Sequence, residues 1–259
     1  MMKVGTFALA LGGLLLLTAI PREASAAACG GFASIVADGR VNGPDTIDTT
    51  GDLRYTFWVV GGKSYSAEVN EYDYNDNVTV TVGAVNDICP AADGPGVVST
   101  SGRDPIIDQG SGTGRRVSFT ASTTGFVIAR VGVSAGSHPV TFIASETTQF
   151  SPAWSTFSSF DTFYSFYNTT NGSCTVTLTL VDTGGTIRSN VTAAVASGRT
   201  AATNTAALGT ARNMAGTAFL THNCPPGGIF SEAAIANFSI SPTPYFQFVH
   251  FQPTRDAAH

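Results

Sequence analysis

Few residues of this chain stand where chemistry needs them. Its histidines are His138, His222, His250 and His259, the last of which closes the sequence. Gly132-Val133-Ser134-Ala135-Gly136 matches the Gly-x-Ser-x-Gly pattern but stands between two strand runs with no helix pattern after it, so it is no nucleophile elbow; no His-Glu-x-x-His and no Cys-x-x-Cys occurs. The usual motifs for an activated serine, a zinc protease and a redox dithiol are therefore missing. His222, Cys224 and His250 are of metal-ligating type, but an exported Cys224 is better used in a disulfide. The acids are scattered, with no pair that suggests glycoside hydrolysis. The expectation is a protein that is not an enzyme and has no cofactor. One cation candidate stands against this. Asp73, Asn75, Asp76 and Asn77 place side-chain oxygens close together, as a calcium ion would need. Val78 occupies the place where a helix-loop-helix calcium loop has Gly, and the competing reading is a polar turn before a strand.

The other chemistry on offer is stacking. Residues 154–170 read WSTFSSFDTFYSFYNTT, and seven of these seventeen are aromatic. Between Phe160 and Tyr167 both period-two faces carry rings. Buried rings dominate core energetics, and a domain poor in Leu and Ile needs them inside. The reading is that Tyr164 and Phe166 lie on a buried face, packed against Val176 and Leu178 across a hairpin turned at Asn171-Gly172. Trp154, which follows Pro152, is expected outside that strand. Trp154, Phe163 and Tyr167 form the candidate ligand platform, able to stack on sugar rings or to meet a partner protein.

Strands must position these residues. Tyr55, Phe57 and Val59 share one face of a period-two run, as do Tyr65, Ala67 and Val69. Gly61-Gly62-Lys63 stands between the runs, so the pair reads as a hairpin. Alternation recurs at Val78–Val82, Val117–Ala121, Phe126–Val133 and Val140–Ala144. No window carries a convincing 3.6-residue apolar period. Short strands separated by turn residues indicate a sandwich or barrel. The stretch from Asn86 to Arg116, rich in Gly, Pro and Asp, reads as a long flexible loop and a second candidate binding element.

Tyr55-Thr56-Phe57-Trp58-Val59-Val60-Gly61-Gly62-Lys63-Ser64-Tyr65, then Val117-Ser118-Phe119-Thr120-Ala121 and Gly125-Phe126, resemble the bacterial pre-peptidase C-terminal domain. The closing segment Val140-Thr141-Phe142-Ile143 sits where that family's last strand falls. The resemblance covers about residues 35–145. It implies a jelly-roll-like β-sandwich appended to secreted proteins, usually without catalysis of its own. Some such domains bind calcium. No peptidase precedes it here.

After Glu146 the composition changes. Cys174, Val176, Leu178 and Leu180 alternate with threonines, and the inward Cys174 suggests a bond that staples one sheet to the other. Residues 192–215 are Ala-rich but interrupted by Gly, Thr and Asn, and read as strand and loop. Strand-like runs follow at Ile229–Ile240 and Tyr245–Phe251.

The N-terminus supplies the compartment. Lys3, an apolar run from Val4 to Ile20 and the Ala24-Ser25-Ala26 site make residues 1–26 a signal peptide. No second run approaches the roughly 20 apolar residues of a membrane span. An alternative is lipidation at Cys29, whose Ala26-Ala27-Ala28-Cys29 context loosely matches a lipoprotein box. The full chain carries a formal charge of −5, which does not attract nucleic acid or anionic lipid. The four cysteines, two in each half, pair most simply as Cys29–Cys89 and Cys174–Cys224. The expected organisation is two tandem β-sandwiches, jelly-roll-like over 29–145 and immunoglobulin-like over 146–253, with a free tail at 254–259. The expected role is that of a non-catalytic secreted or cell-surface structural or adhesive protein. The alternative is a module that binds extracellular polysaccharide or a surface protein, through residues 154–167 or the 86–116 loop.

Overall fold

The computed structural model describes residues 32–51, 53–71, 78–84, 113–240 and 243–254. All regular structure among them is β. In chain order the strands are β1 (Phe32–Ser34), β2 (Asp38–Asp48), β3 (Leu53–Val59), β4 (Ser64–Glu71), β5 (Val78–Ala84), β6 (Thr113–Thr120), β7 (Gly125–Val133) and β8 (Ser137–Glu146). They continue as β9 (Gln149–Ser155), β10 (Asp161–Asn168), β11 (Cys174–Asp182), β12 (Ile187–Val195), β13 (Thr200–Asn204), β14 (Ala215–His222), β15 (Ile229–Asn237), β16 (Tyr245–His250) and β17 (Gln252–Pro253).

The first eight strands form two four-stranded sheets. Sheet A has the order β1-β3-β7-β5 and sheet B the order β2-β8-β4-β6. Between them lies a core built from Tyr55, Phe57, Tyr65, Val69, Val131 and Phe142 with their neighbours. Edge strand β2 carries Pro44 and two register shifts against β8, which makes it a poor template for another strand. Sheets C (β12-β11-β14-β9-β17) and D (β13-β10-β15-β16) make the second sandwich. Its core holds Trp154, Tyr164, Phe166, Leu178, Leu180 and Leu220. The two-sandwich reading stands, and each core draws on one half of the chain.

Both expected hairpins are absent. β3 pairs with β1 and β7, whereas β4 pairs with β6 and β8. The Gly61-Gly62-Lys63 turn thus carries the chain from one sheet to the other. It is held from outside: Gly62 N donates to the Ala121 carbonyl at 2.7 Å and Ala121 N to the Lys63 carbonyl at 2.9 Å. Likewise β10 pairs with β13 and β15, and β11 with β12 and β14. Gly172 does not adopt the positive φ that a type I′ hairpin turn requires. Asn168, fully buried, shapes this segment instead. Its Nδ2 donates to the carbonyls of Gly172 at 2.7 Å and Val195 at 2.8 Å, and its Oδ1 accepts from Thr170 N and Thr170 Oγ1. Tyr164 and Phe166 do share a core with Val176 and Leu178, but across the sandwich rather than along one sheet.

The Cys174–Cys224 disulfide forms. It joins the start of β11 to the residues just after its neighbour β14, and so fastens strands of one sheet. The expected sheet-to-sheet staple is corrected by that adjacency. Cys29 and Cys89 lie outside the described residues. The sandwiches meet at Thr147-Thr148, both buried. Thr147 N donates to the Ser64 carbonyl at 2.8 Å, Thr147 Oγ1 to Ser64 Oγ at 2.9 Å, and Ser64 N to Thr148 Oγ1 at 2.8 Å. Thr254, expected to open a free tail, instead returns here. Its N donates to the Thr148 carbonyl at 3.0 Å and its hydroxyl to Glu146.

Candidate functional site

The aromatic stretch divides between the inside and the outside of the second sandwich. Tyr164 and Phe166 are buried, whereas Tyr167 is 42% exposed and Phe163 half-buried on the opposite face of β10. Trp154 is the correction. Strand β9 continues through Pro152 with a register shift against β14 at Pro152-Ala153, and carries Trp154 into the core, 1% exposed. Its indole N–H donates to the carbonyls of Val181 at 3.1 Å and Thr217 at 3.0 Å. Gly216, paired with Trp154 in the ladder, lets the chains close there, since a Cβ would lie 1.9 Å from the Val181 oxygen. A platform of Trp154, Phe163 and Tyr167 in a row therefore does not exist.

A different aromatic surface does. Residues in register across a sheet share a face. Phe163 of β10 lies opposite Ala234 of β15, which lies opposite Phe248 of β16. One pair along, Ala236 stands between Asp161 and Phe246. On the other side come Ser165, Glu232 and His250, then Tyr167 beside Phe230. The outer face of sheet D thus collects rings from three strands. Phe238, just past β15, adds another and packs edge-on against both Phe163 (ring centres 5.7 Å apart, planes at 88°) and Phe246 (5.3 Å, 81°). Phe230, Phe238, Phe246 and Phe248 are between 51% and 67% exposed. Phe163, Phe248, Ala202 and Ala234 border a groove of about 330 Å³. Charge is sparse: Asp161 is bound by Arg212 at 2.9 Å, and Glu232 stands 4.0 Å from His250.

Phe230, Phe238, Phe246 and Phe248 escaped the sequence reading. The strand that carries Phe246 and Phe248 lies in the same sheet as the aromatic strand, one strand removed, and enlarges the exposed face. The available signal was the alternation of Phe246 and Phe248 with Gln247 and Val249.

The histidines do not converge. His222 is buried among inward-facing residues, His250 is exposed on the outer face of sheet D, and Cys224 is spent in the disulfide. His138 is structural: its Nδ1 lies 2.8 Å from Glu71 Oε1 and its Nε2 2.6 Å from the Ala135 carbonyl. Among the described residues no group of three or more His, Cys, Asp or Glu could hold a metal ion. The calcium candidates Asp73, Asn75, Asp76 and Asn77 lie outside the described residues, as do residues 86–112 of the long loop. No helix among the described residues is long and apolar enough to cross a membrane.

No protein-family model and no curated protein matches the chain. Among solved structures it is similar to a glycosyl hydrolase family 2 member from Bacteroides cellulosilyticus, at 9% identity and a TM-score of 0.20, over 78% of this chain and 30% of that one. A beta-glucuronidase from glycoside hydrolase family 2 matches at 13% identity and a TM-score of 0.19, over 82% and 24%. The Bacteroides uniformis beta-glucuronidase matches at 12% and 0.20, over 81% and 28%. The chain spans less than a third of each of these proteins.

Proposed function

We propose that the chain is a non-catalytic, exported β-sandwich protein with a structural or adhesive role, and that it adheres through the outer face of sheet D, which packs on the same face of a second copy. The observation that carries the reading is the set of exposed rings on that one face. Five of them, Tyr167, Phe230, Phe238, Phe246 and Phe248, are 42% to 67% exposed. At about 200 Å² per ring residue they present roughly 500 Å² of apolar surface. That is at the scale of the largest patch on a monomer and approaches the roughly 800 Å² per partner of a stable interface.

The chemistry of the face favours protein over polysaccharide. Sugar stacking needs rings that present their flat sides together. Here Phe163, Phe238 and Phe246 meet edge to face. Phenylalanine also lacks the polar tip that tyrosine and tryptophan offer to a hydroxyl. The rings alternate with Ala202, Ala234 and Ala236, so ridges on one copy meet hollows on another, as in sheet-on-sheet packing. Glu232 and His250 make the face complementary to itself in hydrogen bonding, because a two-fold axis can set the carboxylate acceptor of one copy near the imidazole N–H of the other. The resemblance of residues 35–145 to a domain appended to secreted proteins supports export and a non-catalytic role.

Sedimentation of the full chain across micromolar concentrations tests the reading. A concentration-dependent dimer is expected, and Phe246→Ser with Phe248→Ser abolishes it without lowering the melting temperature. A monomer at all concentrations overturns the self-packing reading. A glycan array that retains wild type and loses the double variant would assign the face to carbohydrate instead.

A further inference from the structure

The core of the second sandwich stops being apolar at the end that faces the first. Ala218 and Leu220 point inward from β14, and the next residue on that face is His222. On β15 the inward set is Ile229, Ser231, Ala233 and Ile235. His222 and Ser231 are each 5% exposed. Neither His222 Nδ1 nor Ser231 Oγ has a hydrogen-bond partner among the described residues. The residues His222 and Ser231 both border one cleft of about 530 Å³, open between the sandwiches, and their unpaired atoms lie just beneath its surface. A buried polar group left unpaired destabilises a protein, so two of them in the wall of one cleft call for an occupant.

Other polar groups of the wall are already spent. Thr169 Oγ1 donates to the Gly228 carbonyl at 3.1 Å and Gln149 Nε2 to the Ile229 carbonyl at 2.8 Å. Glu146 is held by Lys63 at 3.1 Å, and Asp38 by Arg40 at 2.9 Å. Burial keeps the His222 imidazole uncharged at neutral pH. The cleft therefore offers hydrogen bonding without free charge, beside the apolar side chains of Phe230, Phe251 and Pro253. Its volume lies within the range of small-molecule sites, roughly 300–1,000 Å³.

We infer that this cleft binds a small neutral polyhydroxylated ligand, a monosaccharide unit, with His222 and Ser231 as the hydrogen-bonding groups at its floor. A hydroxyl both donates and accepts, so it satisfies Nδ1 in either tautomer as well as the serine. The C–H face of a sugar ring suits the aromatic walls. An anion would meet Glu146 and Asp38, and among the described residues no Lys or Arg lines the cleft to offset them.

The test titrates glucose, galactose, mannose and N-acetylglucosamine, and their methyl glycosides, into the full-length oxidised protein. Imidazole nitrogen resonances of His222 and calorimetry report binding. At least one sugar is expected to bind and to move the His222 signals. Ser231→Ala should weaken that binding roughly tenfold or more, the worth of a hydrogen bond. It should melt no lower than wild type, because it removes an unpaired hydroxyl. His222→Gln should weaken binding as well. If methyl glycosides bind as well as free sugars, the ligand is a glycan end; if they do not, it is the free sugar. No binding at tens of millimolar, or binding that both variants leave within twofold, overturns the inference and leaves the cleft to water.

Discussion

Burial rather than residue type decides what each aromatic side chain does here. Trp154 and Phe166 are both core residues. Trp154→Ala and Phe166→Ala should each lower stability by about 3–5 kcal/mol, read from denaturant midpoints. A melt of Trp154→Ala that matches wild type would return Trp154 to the surface. Phe248→Ser, at 67% exposure, should shift stability by no more than about 0.5 kcal/mol. Tyr164 adds a finer case. Its hydroxyl is buried with no partner among the described residues, and burial pushes its ionisation well above the ordinary tyrosine range. Tyr164→Phe keeps the ring and removes the unpaired group, so it should be neutral or stabilising by about 1 kcal/mol. His222 sets an acid limit. Burial, helped by the Arg116 charge, holds its imidazole down from the usual 6.5 to about 4, and a backbone contact at Cys224 offsets this only in part. The unfolded chain therefore takes up this proton first. The stability is whole above about pH 6.5 and falls as pH drops toward 4, by up to about 3 kcal/mol from this group. Melting temperatures at pH 7 and 4.5 should converge more closely in His222→Gln than in wild type.

Strands were legible in the sequence, and their partners were not. The runs around Phe57, Val80, Val131, Leu178 and Ile235 all became strands, and Tyr55, Phe57 and Val59, like Val176, Leu178 and Leu180, face inward as expected. Alternation reports which side of a strand meets a core, and that is the same whether two runs pair along one sheet or face each other across a sandwich. Gly61-Gly62 and Asn171-Gly172 therefore read as hairpins, although both segments cross between sheets. What decides at the second is Asn168, whose four bonds lie partly to Val195, 27 residues on. No short window contains that contact. Asn168→Ala leaves the Thr170 amide and the Gly172 and Val195 carbonyls short of a partner. It should lower stability by about 2–4 kcal/mol, at one to three per stranded buried group with partial relief by water. Asn168→Asp should be worse, since a carboxylate would face two carbonyl oxygens. If Asn168→Ala melts like wild type, the segment is set by the Cys174–Cys224 bond instead. The exposed face of sheet D was half legible for the same reason: Phe163 and Tyr167 were seen within one strand, but Phe246 and Phe248 join them only through β15.

At the scale of the whole molecule, two cores with no shared residue meet through a junction of buried hydroxyls. Thr147, Thr148 and Ser64 bond to one another, and Thr254 brings the far end of the chain back to Glu146 and Thr148. Hydroxyl contacts of this kind contribute about 1 kcal/mol each, less than the cores they join. The sandwiches should therefore unfold as separate units when one of them is weakened. The Cys174–Cys224 bond closes a separation of 50 residues, and in the chain-entropy account such a loop is worth about 4 kcal/mol. Replacing both cysteines by alanine touches only the second sandwich. Differential scanning calorimetry of that variant should show two transitions, with the lower one belonging to residues 149–254. Hydrogen exchange at an intermediate temperature should find β9–β17 open while the first sandwich stays protected. The first sandwich should keep its wild-type midpoint within about 2 °C. A single transition lowered for the whole chain would mean that the junction couples the halves into one cooperative unit.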